Sequence, residues 1–420
     1  MKITEMKQYE NLLRTELVPA LGCTEPGAVG YAAAKAAEVL GFFPEHMEMY
    51  CSANIIKNVK SVNVPNSNGM KGIEAAAILG MLSGDPDDGL EIFKGATSEK
   101  IERTKELISA GFCKVHLQEG EGNLYISAEV FCGNEKACVI IKGTHTNIIH
   151  ISKNDEVLFE NKISETKADA HAFTTVAGII EYADNESLET LKDIIHMQIS
   201  VNSAIAEEGM SANYGANVGK TLIEAYGNDI KVRAKAKAAA GSDARMGGCS
   251  LPVVINSGSG NQGITLTVPV IEYAKEFDVS EDKLYRAMAV SNLISIHIKK
   301  NIGKLSAFCG AVSASCGCGA AIAYMQGCSY AEICNVITTT LDNVGGIICD
   351  GAKASCAAKI ASSVDAAIMA YEMARRGRGF CPGDGIVSDD IEETIKNFGI
   401  VGREGMRETD VTIMNLMIGC

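Results

Sequence analysis

The segment from Leu305 to Ala331 restricts the fold more than any other part of this chain, because it carries no charged residue and consists mostly of Gly, Ala, Ser and Cys. Small side chains let neighbouring backbones approach closely, and an uncharged run of this kind is kept away from water. The segment has few of the Leu, Ile and Phe residues that favour lipid, so its composition is not that of a membrane span. It predicts a fully buried, closely packed helix.

Length and charge exclude several classes of function. The chain has 420 residues, 47% of them hydrophobic, which is enough for two domains with substantial cores. A net charge of −14 disfavours binding to nucleic acid or to an anionic membrane surface. The N-terminus has no apolar stretch typical of a signal peptide, and the 15 cysteines are not expected to form a disulfide framework. We expect a cytoplasmic protein with a small-molecule substrate and no nucleic-acid or membrane partner. Whether it forms a homo-oligomer stays open.

The hydrophobic pattern divides the chain into three parts: 1–45, 46–160 and 161–420. The first part is predicted to be helical, with a Gly-rich turn. The second is predicted to be an α/β module with an antiparallel sheet, because its β-branched runs are joined by short Gly-containing turns. Its predicted strands are 47–59, 113–118, 124–131, 137–142 and 147–152, and its predicted helices are 70–83 and 97–110. The third is predicted to be a helical catalytic domain interrupted by a polar loop at 241–269. The fold class is therefore α+β, mostly helical with a smaller α/β module.

Three cysteines, Cys23, Cys309 and Cys349, each lie among small residues that let a ligand approach closely. Thiolates in such surroundings are typical ligands of a soft metal centre. Cys23 precedes Thr24, which we predict to cap a helix, so the thiol is placed where the helix dipole favours an anion. The spacing matches neither a ferredoxin run nor paired zinc knuckles, so the fold itself has to assemble the site.

A second candidate site is the sequence Asn-Ser-Gly-Ser-Gly-Asn-Gln-Gly at 256–263. Backbone amides and short polar side chains before an apolar run can hold a carboxylate or phosphate. The candidate substrate-binding residues are Asn256, Ser257, Gly258, Ser259, Gly260, Asn261 and Gln262. The loop is similar to the Ser-Gly-Asn-x-Gly loop of pyridoxal-phosphate enzymes, but no lysine upstream has the expected setting, so we expect no pyridoxal phosphate. A tight turn without a ligand is the alternative.

Asp243 and Arg245 form a charged pair in an otherwise uncharged neighbourhood. The arginine is a candidate clamp for a substrate carboxylate, and a buried structural ion pair is the alternative.

Five separated blocks of this sequence resemble the L-cysteine desulfidase family, which is related to the α domain of iron–sulfur L-serine dehydratases. They are Leu-Gly-Cys-Thr-Glu-Pro-Gly-Ala-Val-Gly-Tyr-Ala, Gly-Ser-Asp-Ala-Arg-Met-Gly-Gly, Asn-Ser-Gly-Ser-Gly-Asn-Gln-Gly-Ile-Thr, Cys-Gly-Ala and Gly-Gly-Ile-Ile-Cys-Asp-Gly-Ala-Lys. The resemblance implies a [4Fe–4S] cluster held by Cys23, Cys309 and Cys349 with one iron open to substrate. It implies a lyase of cysteine catabolism that converts L-cysteine to pyruvate, ammonia and hydrogen sulfide.

The catalytic base is not identified by the sequence. Ser257 and Ser259 in the loop, or a residue beside Cys23, are the candidates. Other cysteines near the predicted ligands, Cys316, Cys318 and Cys356, are expected to be packing residues. The terminal Cys420 is a candidate cap for the open iron. Three alternatives remain: an iron–sulfur L-serine dehydratase, a non-catalytic iron–sulfur or thiol redox sensor, and a structural zinc site.

Overall fold

The protein is represented by a computed structural model that describes residues 3–121, 124–154, 156–161, 173–185, 188–303 and 306–418. Its strands are β1 (Pro19–Leu21), β2 (His46–Cys51), β3 (Cys113–Leu117), β4 (Tyr125–Cys132), β5 (Glu135–Lys142), β6 (Ile148–Lys153), β7 (Glu156–Glu160) and β8 (Pro252–Val254).

Helices account for most of the described residues. They are α1 (Ile3–Glu16), α2 (Thr24–Leu40), α3 (Ala53–Val59), α4 (Ile73–Ser83), α5 (Ser98–Ser109), α6 (Val176–Asn185), α7 (Lys192–Ser211), α8 (Val218–Tyr226), α9 (Ile230–Met246), α10 (Gly260–Glu276), α11 (Glu281–Ile302), α12 (Gly310–Met325), α13 (Tyr330–Val344), α14 (Ser355–Ala374), α15 (Ile391–Ile400) and α16 (Arg407–Ile418). The predicted α+β class, mostly helical with a smaller sheet-containing part, is confirmed.

The larger sheet has the strand order β3-β2-β4-β5-β6-β7, and α2 packs against β4 and β5. All neighbouring strands are antiparallel except β2 and β3, which run parallel with Met49 opposite Val115. The prediction of a hairpin between the strands at 113–118 and 124–131 is therefore wrong, because β2 lies between them. A parallel pair needs a long crossover, and α3, α4 and α5 lie between β2 and β3 in the chain.

Two boundaries predicted from the sequence differ from those in the structure. The strand predicted at 47–59 ends at Cys51, and Ser52 in an extended conformation begins α3. The polar loop predicted at 241–269 is shorter, because α9 continues to Met246 and α10 begins at Gly260. Gly241 lies inside α9, where a β-carbon would come within 3.0 Å of Ile264 and 3.4 Å of Ala206. Because glycine has no β-carbon, the neighbouring helices can pack closely at this position.

The uncharged segment forms α12, which is buried along nearly all of its length and packs against α10, α11, α13 and α14. This confirms the predicted buried helix. Among the described residues, no helix has the length and apolar character needed to cross a membrane.

A network of hydrogen bonds between polar side chains connects α11, α15 and the segment before α6. The Nε2 atom of His297 lies 2.6 Å from Glu392 Oε2, and its Nδ1 atom lies 2.9 Å from the Thr174 hydroxyl. The other Glu392 oxygen accepts a hydrogen bond of 2.7 Å from the backbone N–H of Val176. Burial alone would raise the pKa of Glu392, but the hydrogen bonds from His297 and Val176 lower it below the ordinary glutamate value.

We expect Glu392→Gln to lower the free energy of unfolding by about 2 kcal/mol at pH 7, because charge-assisted hydrogen bonds between this half-buried carboxylate and the buried His297 are lost. A carboxyl whose pKa is depressed on folding stabilises the protein fully above its unfolded pKa of about 4.3, and this stabilisation is lost as pH falls through the folded value. The difference between the two proteins should therefore shrink in urea titrations as pH decreases below about 4.3. Glu393→Gln, at an exposed neighbour paired with Lys396, should have little effect at any pH. A pH-independent deficit in Glu392→Gln would contradict the assignment.

Candidate functional site

One cavity of about 470 Å³ lies where the turn between β5 and β6 meets the helical part of the chain. This size is typical of a site for a small molecule. Polar, charged and sulfur-bearing side chains line much of it. They include Glu16, Cys23, Thr24, Glu25, Asn54, Lys57, Asn58, His145, Arg245, Ser257, Ser259, Asn261, Gln262, Lys299, Cys309, Cys349 and Cys356.

The three predicted ligand cysteines reach this cavity from three separate segments. Cys23 and Cys309 are the residues immediately before α2 and α12, each with extended backbone and no side-chain hydrogen bond capping its helix. Thr24, predicted to be the cap, is instead the first helical residue of α2. Both thiols therefore lie at helix N-termini, where free N–H groups and the helix dipole favour an anionic sulfur.

Cys309 and Cys349 are held side by side by their own backbones. The N–H of Cys309 donates to Ile347 at 3.0 Å, and the N–H of Cys349 donates to Ala307 at 2.6 Å. Phe308 and Ile348, between them, form an antiparallel bridge. The pairing brings residues 40 positions apart to one wall of the cavity, which no local sequence pattern could indicate.

Basic side chains lie close enough to the three cysteines to act on their charges. Burial raises the pKa of the Cys309 thiol to about 12, with Cys349 adding to the rise and Lys359 opposing it. Burial likewise raises the pKa of Cys23, with Glu25 acting in the same direction and Arg245 against it. Lys299 is only 4% exposed, and burial lowers its pKa, while the nearby Cys349 and Cys309 oppose that fall. A coordinated thiol loses its proton, and these cations are placed to balance the resulting negative charge.

The donor set around the cavity indicates which kind of metal centre it fits. Within the described residues, no three Cys, His, Asp or Glu side chains converge closely enough to bind a single ion. A structural zinc ion needs four ligands around one point, and the described part of the chain offers no such set. A cluster takes one thiolate at each iron, so its three ligands can come from three segments around one cavity, as Cys23, Cys309 and Cys349 do. The donor set fits an iron–sulfur cluster.

The glycine-rich loop forms a tight turn in which Asn256 and Ser259 exchange two backbone hydrogen bonds of 3.2 and 3.0 Å. Its central residues have positive φ, 50° at Ser257 and 76° at Gly258. Glycine adopts this backbone without strain, whereas Ser257 does so at a cost. The Ser257 hydroxyl donates to Asn256 Oδ1 at 2.9 Å, and the Ser259 hydroxyl caps α10.

Fully buried amides fix this turn from behind. Asn256 Nδ2 donates to Asn292 Oδ1 at 3.0 Å, and Asn292 exchanges two hydrogen bonds with Gln198. Of the predicted substrate-binding residues, Asn256 and Gly260 therefore do not line the cavity, whereas Arg245, Ser257, Gly258, Ser259, Asn261 and Gln262 do. Asn256 anchors the turn instead.

Two buried side-chain oxygens at the start of α10 have no hydrogen-bond partner among the described residues: Asn261 Oδ1 and Gln262 Oε1. Both side chains line the cavity. Buried polar atoms are nearly always paired in folded proteins, so unpaired ones at a cavity wall indicate groups that a ligand satisfies.

Asp243 and Arg245 do not form an ion pair with each other, and each side chain makes hydrogen bonds to a different part of the backbone. One carboxylate oxygen of Asp243 accepts from the backbone N–H of Gly219 at the start of α8, at 3.2 Å. Arg245 is 3% exposed, and its Nε donates to the carbonyl of Gly22 at 2.9 Å, directly before Cys23. Arg245 thus fixes the backbone beside Cys23 and keeps its charge at the cavity.

Glu25 is not among the site residues named from the sequence, although a residue beside Cys23 is one of the candidates for the base. Its Oε2 lies 2.9 Å from Cys23 Sγ and 3.0 Å from the Thr24 hydroxyl, and its Oε1 accepts from Asn58 Nδ2 at 3.1 Å. Burial alone would raise the pKa of Glu25, but the nearby His145 and the Cys23 thiol lower it to about 2. Its position two residues after Cys23 is the signal that the sequence offers.

His145, Lys57 and Lys299 were also missed, because each is a lone polar residue in an ordinary turn or helix. Lys57 is 3% exposed and pairs with Asp410 of α16, so the C-terminal helix packs close to the cavity. Cys420 itself lies outside the described residues.

The remaining cysteines near the ligands divide into two groups. Cys316 and Cys318 are fully buried within α12 and do not line the cavity. Cys356, in the first turn of α14, does line it and packs in one apolar cluster with Cys23. None of the cysteines in the described ranges forms a disulfide.

Comparison with known proteins shows the family to which the chain belongs. Residues 87–415 match the family model described as serine dehydratase alpha chain. A UPF0597 protein of Lachnoclostridium phytofermentans is 49% identical over 98% of this chain and 99% of its own length. UPF0597 proteins of Desulfitobacterium hafniense and Finegoldia magna are 50% and 48% identical, each over 98% of this chain and over 96% and 100% of their own lengths. With most of its length matched, this chain belongs to the serine dehydratase alpha chain family.

Proposed function

We propose that this protein is an iron–sulfur-dependent L-cysteine desulfidase, a carbon–sulfur lyase that converts L-cysteine and water to pyruvate, ammonia and hydrogen sulfide. The observation that carries the proposal is the meeting of Cys23, Cys309 and Cys349 in one cavity with Arg245 and the 257–262 loop. The family match supports a lyase acting on a small β-substituted amino acid. We further propose that the protein works in a reducing cytoplasm, and that the division at residues 45 and 160 separates its domains.

The three cysteines would hold a [4Fe–4S] cluster, whose iron without a protein ligand supplies a Lewis acid that makes sulfide a better leaving group. The chain's own residues bind and orient the amino acid. Arg245 places a positive charge near the predicted carboxylate position, and the unpaired oxygens of Asn261 and Gln262 are acceptors suited to an ammonium group. The largely buried lining limits water, which strengthens each of these contacts.

The overall chemistry is an α,β-elimination. Loss of the Cα proton and of sulfide from L-cysteine leaves 2-aminoacrylate, which tautomerises to the imine. Water then hydrolyses the imine to pyruvate and ammonia, so one water is consumed for each hydrogen sulfide released. Only the elimination needs the protein, because the later steps proceed in water.

L-serine dehydratase activity is the second candidate, since the matching family model carries that description. The same elimination with hydroxide as the leaving group would again give pyruvate and ammonia.

The experiment compares both amino acids on protein purified without oxygen, with iron and acid-labile sulfide measured on the same sample. We expect about four of each per chain and pyruvate release with equimolar sulfide from L-cysteine, at a higher kcat/KM than from L-serine. A higher kcat/KM for L-serine would instead make the protein a dehydratase. Bound iron with no turnover of either substrate would favour a redox sensor. Absence of iron after anaerobic reconstitution would overturn the cluster.

A further inference from the structure

His145 lies at the tip of the β5–β6 hairpin, directed at the helical part of the chain. The turn is fixed by hydrogen bonds from the N–H of Lys142 to Asn147 O at 3.1 Å and from Asn147 Nδ2 to Lys142 O at 2.9 Å. The imidazole packs against the positive-φ turn of the glycine-rich loop, since a β-carbon on Gly258 would lie 3.0 Å from its Cε1 atom. His145 therefore joins the wall of the proposed substrate site.

The imidazole is buried and incompletely satisfied. His145 is 9% exposed, and its Nε2 atom has no hydrogen-bond partner among the described residues. A buried ring nitrogen without a partner, on a residue that lines a cavity, is unusual in a folded protein and indicates a group that meets a ligand.

Glu25 supplies a negative charge beside this nitrogen. Its Oε1 lies 3.9 Å from His145 Nε2, too far for a hydrogen bond but close enough to stabilise a positive charge on the ring. Asn58 and Thr24 hold the carboxylate in place. An imidazole can accept a proton, and the fixed carboxylate beside it favours the protonated form.

The two serine hydroxyls considered from sequence are less suited to this task. Ser257 already donates to Asn256, and Ser259 caps α10. A hydroxyl also has a far higher pKa than an imidazole and needs a base of its own. His145 is the cavity residue whose chemistry fits proton transfer near neutral pH.

We propose that His145 is the catalytic acid–base residue of the elimination, with Glu25 stabilising its protonated form; this rests on the proposed lyase function. Nε2 takes the proton from Cα, and the C–H electron pair becomes the Cα–Cβ π bond. The Cβ–S bond breaks with its pair going to sulfur, which receives the proton from Nε2. L-cysteine thus divides into 2-aminoacrylate and hydrogen sulfide, and the imidazole is again neutral.

The test uses His145→Gln in the cluster-loaded protein, with His150→Gln as the matched control, since His150 lies on β6 away from the cavity. His145→Gln should lower kcat about 100- to 10,000-fold while iron content, acid-labile sulfide and KM stay close to those of the unaltered protein. In single turnovers it should also show a deuterium isotope effect with L-cysteine labelled at Cα, because C–H cleavage becomes limiting. His150→Gln should behave like the unaltered protein.

Three results would overturn the assignment. A kcat within tenfold of the unaltered protein, or a slow single turnover without an isotope effect, would remove His145 from the proton transfer. Loss of iron in His145→Gln would give the residue a structural role instead. Each leaves the lyase function standing, whereas an unaltered protein that releases no pyruvate from either amino acid would remove the proposed function itself.

Discussion

Serine in place of Cys23, Cys309 or Cys349 is expected to reduce bound iron from about four per chain to less than one and to abolish pyruvate release. Each thiol comes from a different segment, so no neighbouring ligand compensates for the loss of one. A serine hydroxyl is a harder ligand than thiolate and does not hold an iron–sulfur cluster comparably. Iron and acid-labile sulfide assays on anaerobically prepared variants measure the effect directly.

Two further cysteines serve as controls in this series. Cys318→Ser lies within α12 and keeps a group able to donate to Ser315 O, as the thiol does at 3.3 Å, so iron should be retained. Cys356→Ser tests the fourth thiol in the cavity, and iron should again be retained if the predicted trio is the ligand set. Retention of four irons in Cys23→Ser together with their loss in Cys356→Ser would reassign the third ligand to Cys356.

Arg245→Met is expected to lower kcat/KM for L-cysteine about 100-fold. The variant removes both the hydrogen bond to Gly22 O, which fixes the backbone before Cys23, and the positive charge offered to the substrate carboxylate. Hydrogen bonds from a charged donor contribute about 1.5–3 kcal/mol each, which corresponds to a factor of about 10 to 150. Steady-state kinetics with parallel iron analysis separate the two roles, because loss of Cys23 positioning lowers iron and loss of substrate binding raises KM.

Arg233→Met is the matched control for this prediction, since it lies near the start of the same helix, α9. Arg233 pairs with Glu272 and Glu276 at 3.0 and 2.5 Å and does not line the cavity. We expect its replacement to cost some stability but to leave kcat/KM unchanged. Equal losses in the two variants would mean that Arg245 acts through general stability of α9.

The sequence predicted much of the fold where local patterns were strong. The uncharged, small-residue segment became the buried helix α12, and the β-branched runs became the strands of the larger sheet. Errors occurred where long-range pairing decides the outcome. The parallel contact of β2 with β3 joins strands separated by three helices, and no turn residue indicates such a pair. Gly241 and Ser242 resemble loop residues by type but lie within α9, because close helix packing tolerates them.

By itself, the sequence determined which segments carry reactive groups: the cysteines among small residues, Arg245, and the glycine-rich turn at 256–259. Residue type and local spacing are visible in the sequence itself, and they limit both the backbone conformation and the chemistry of a segment. Only the tertiary structure decided which groups face one another. It brought Cys309 beside Cys349 through a backbone bridge and turned Asp243 away from Arg245. It also placed His145 against Glu25, because contacts between distant segments depend on packing that single residues do not encode.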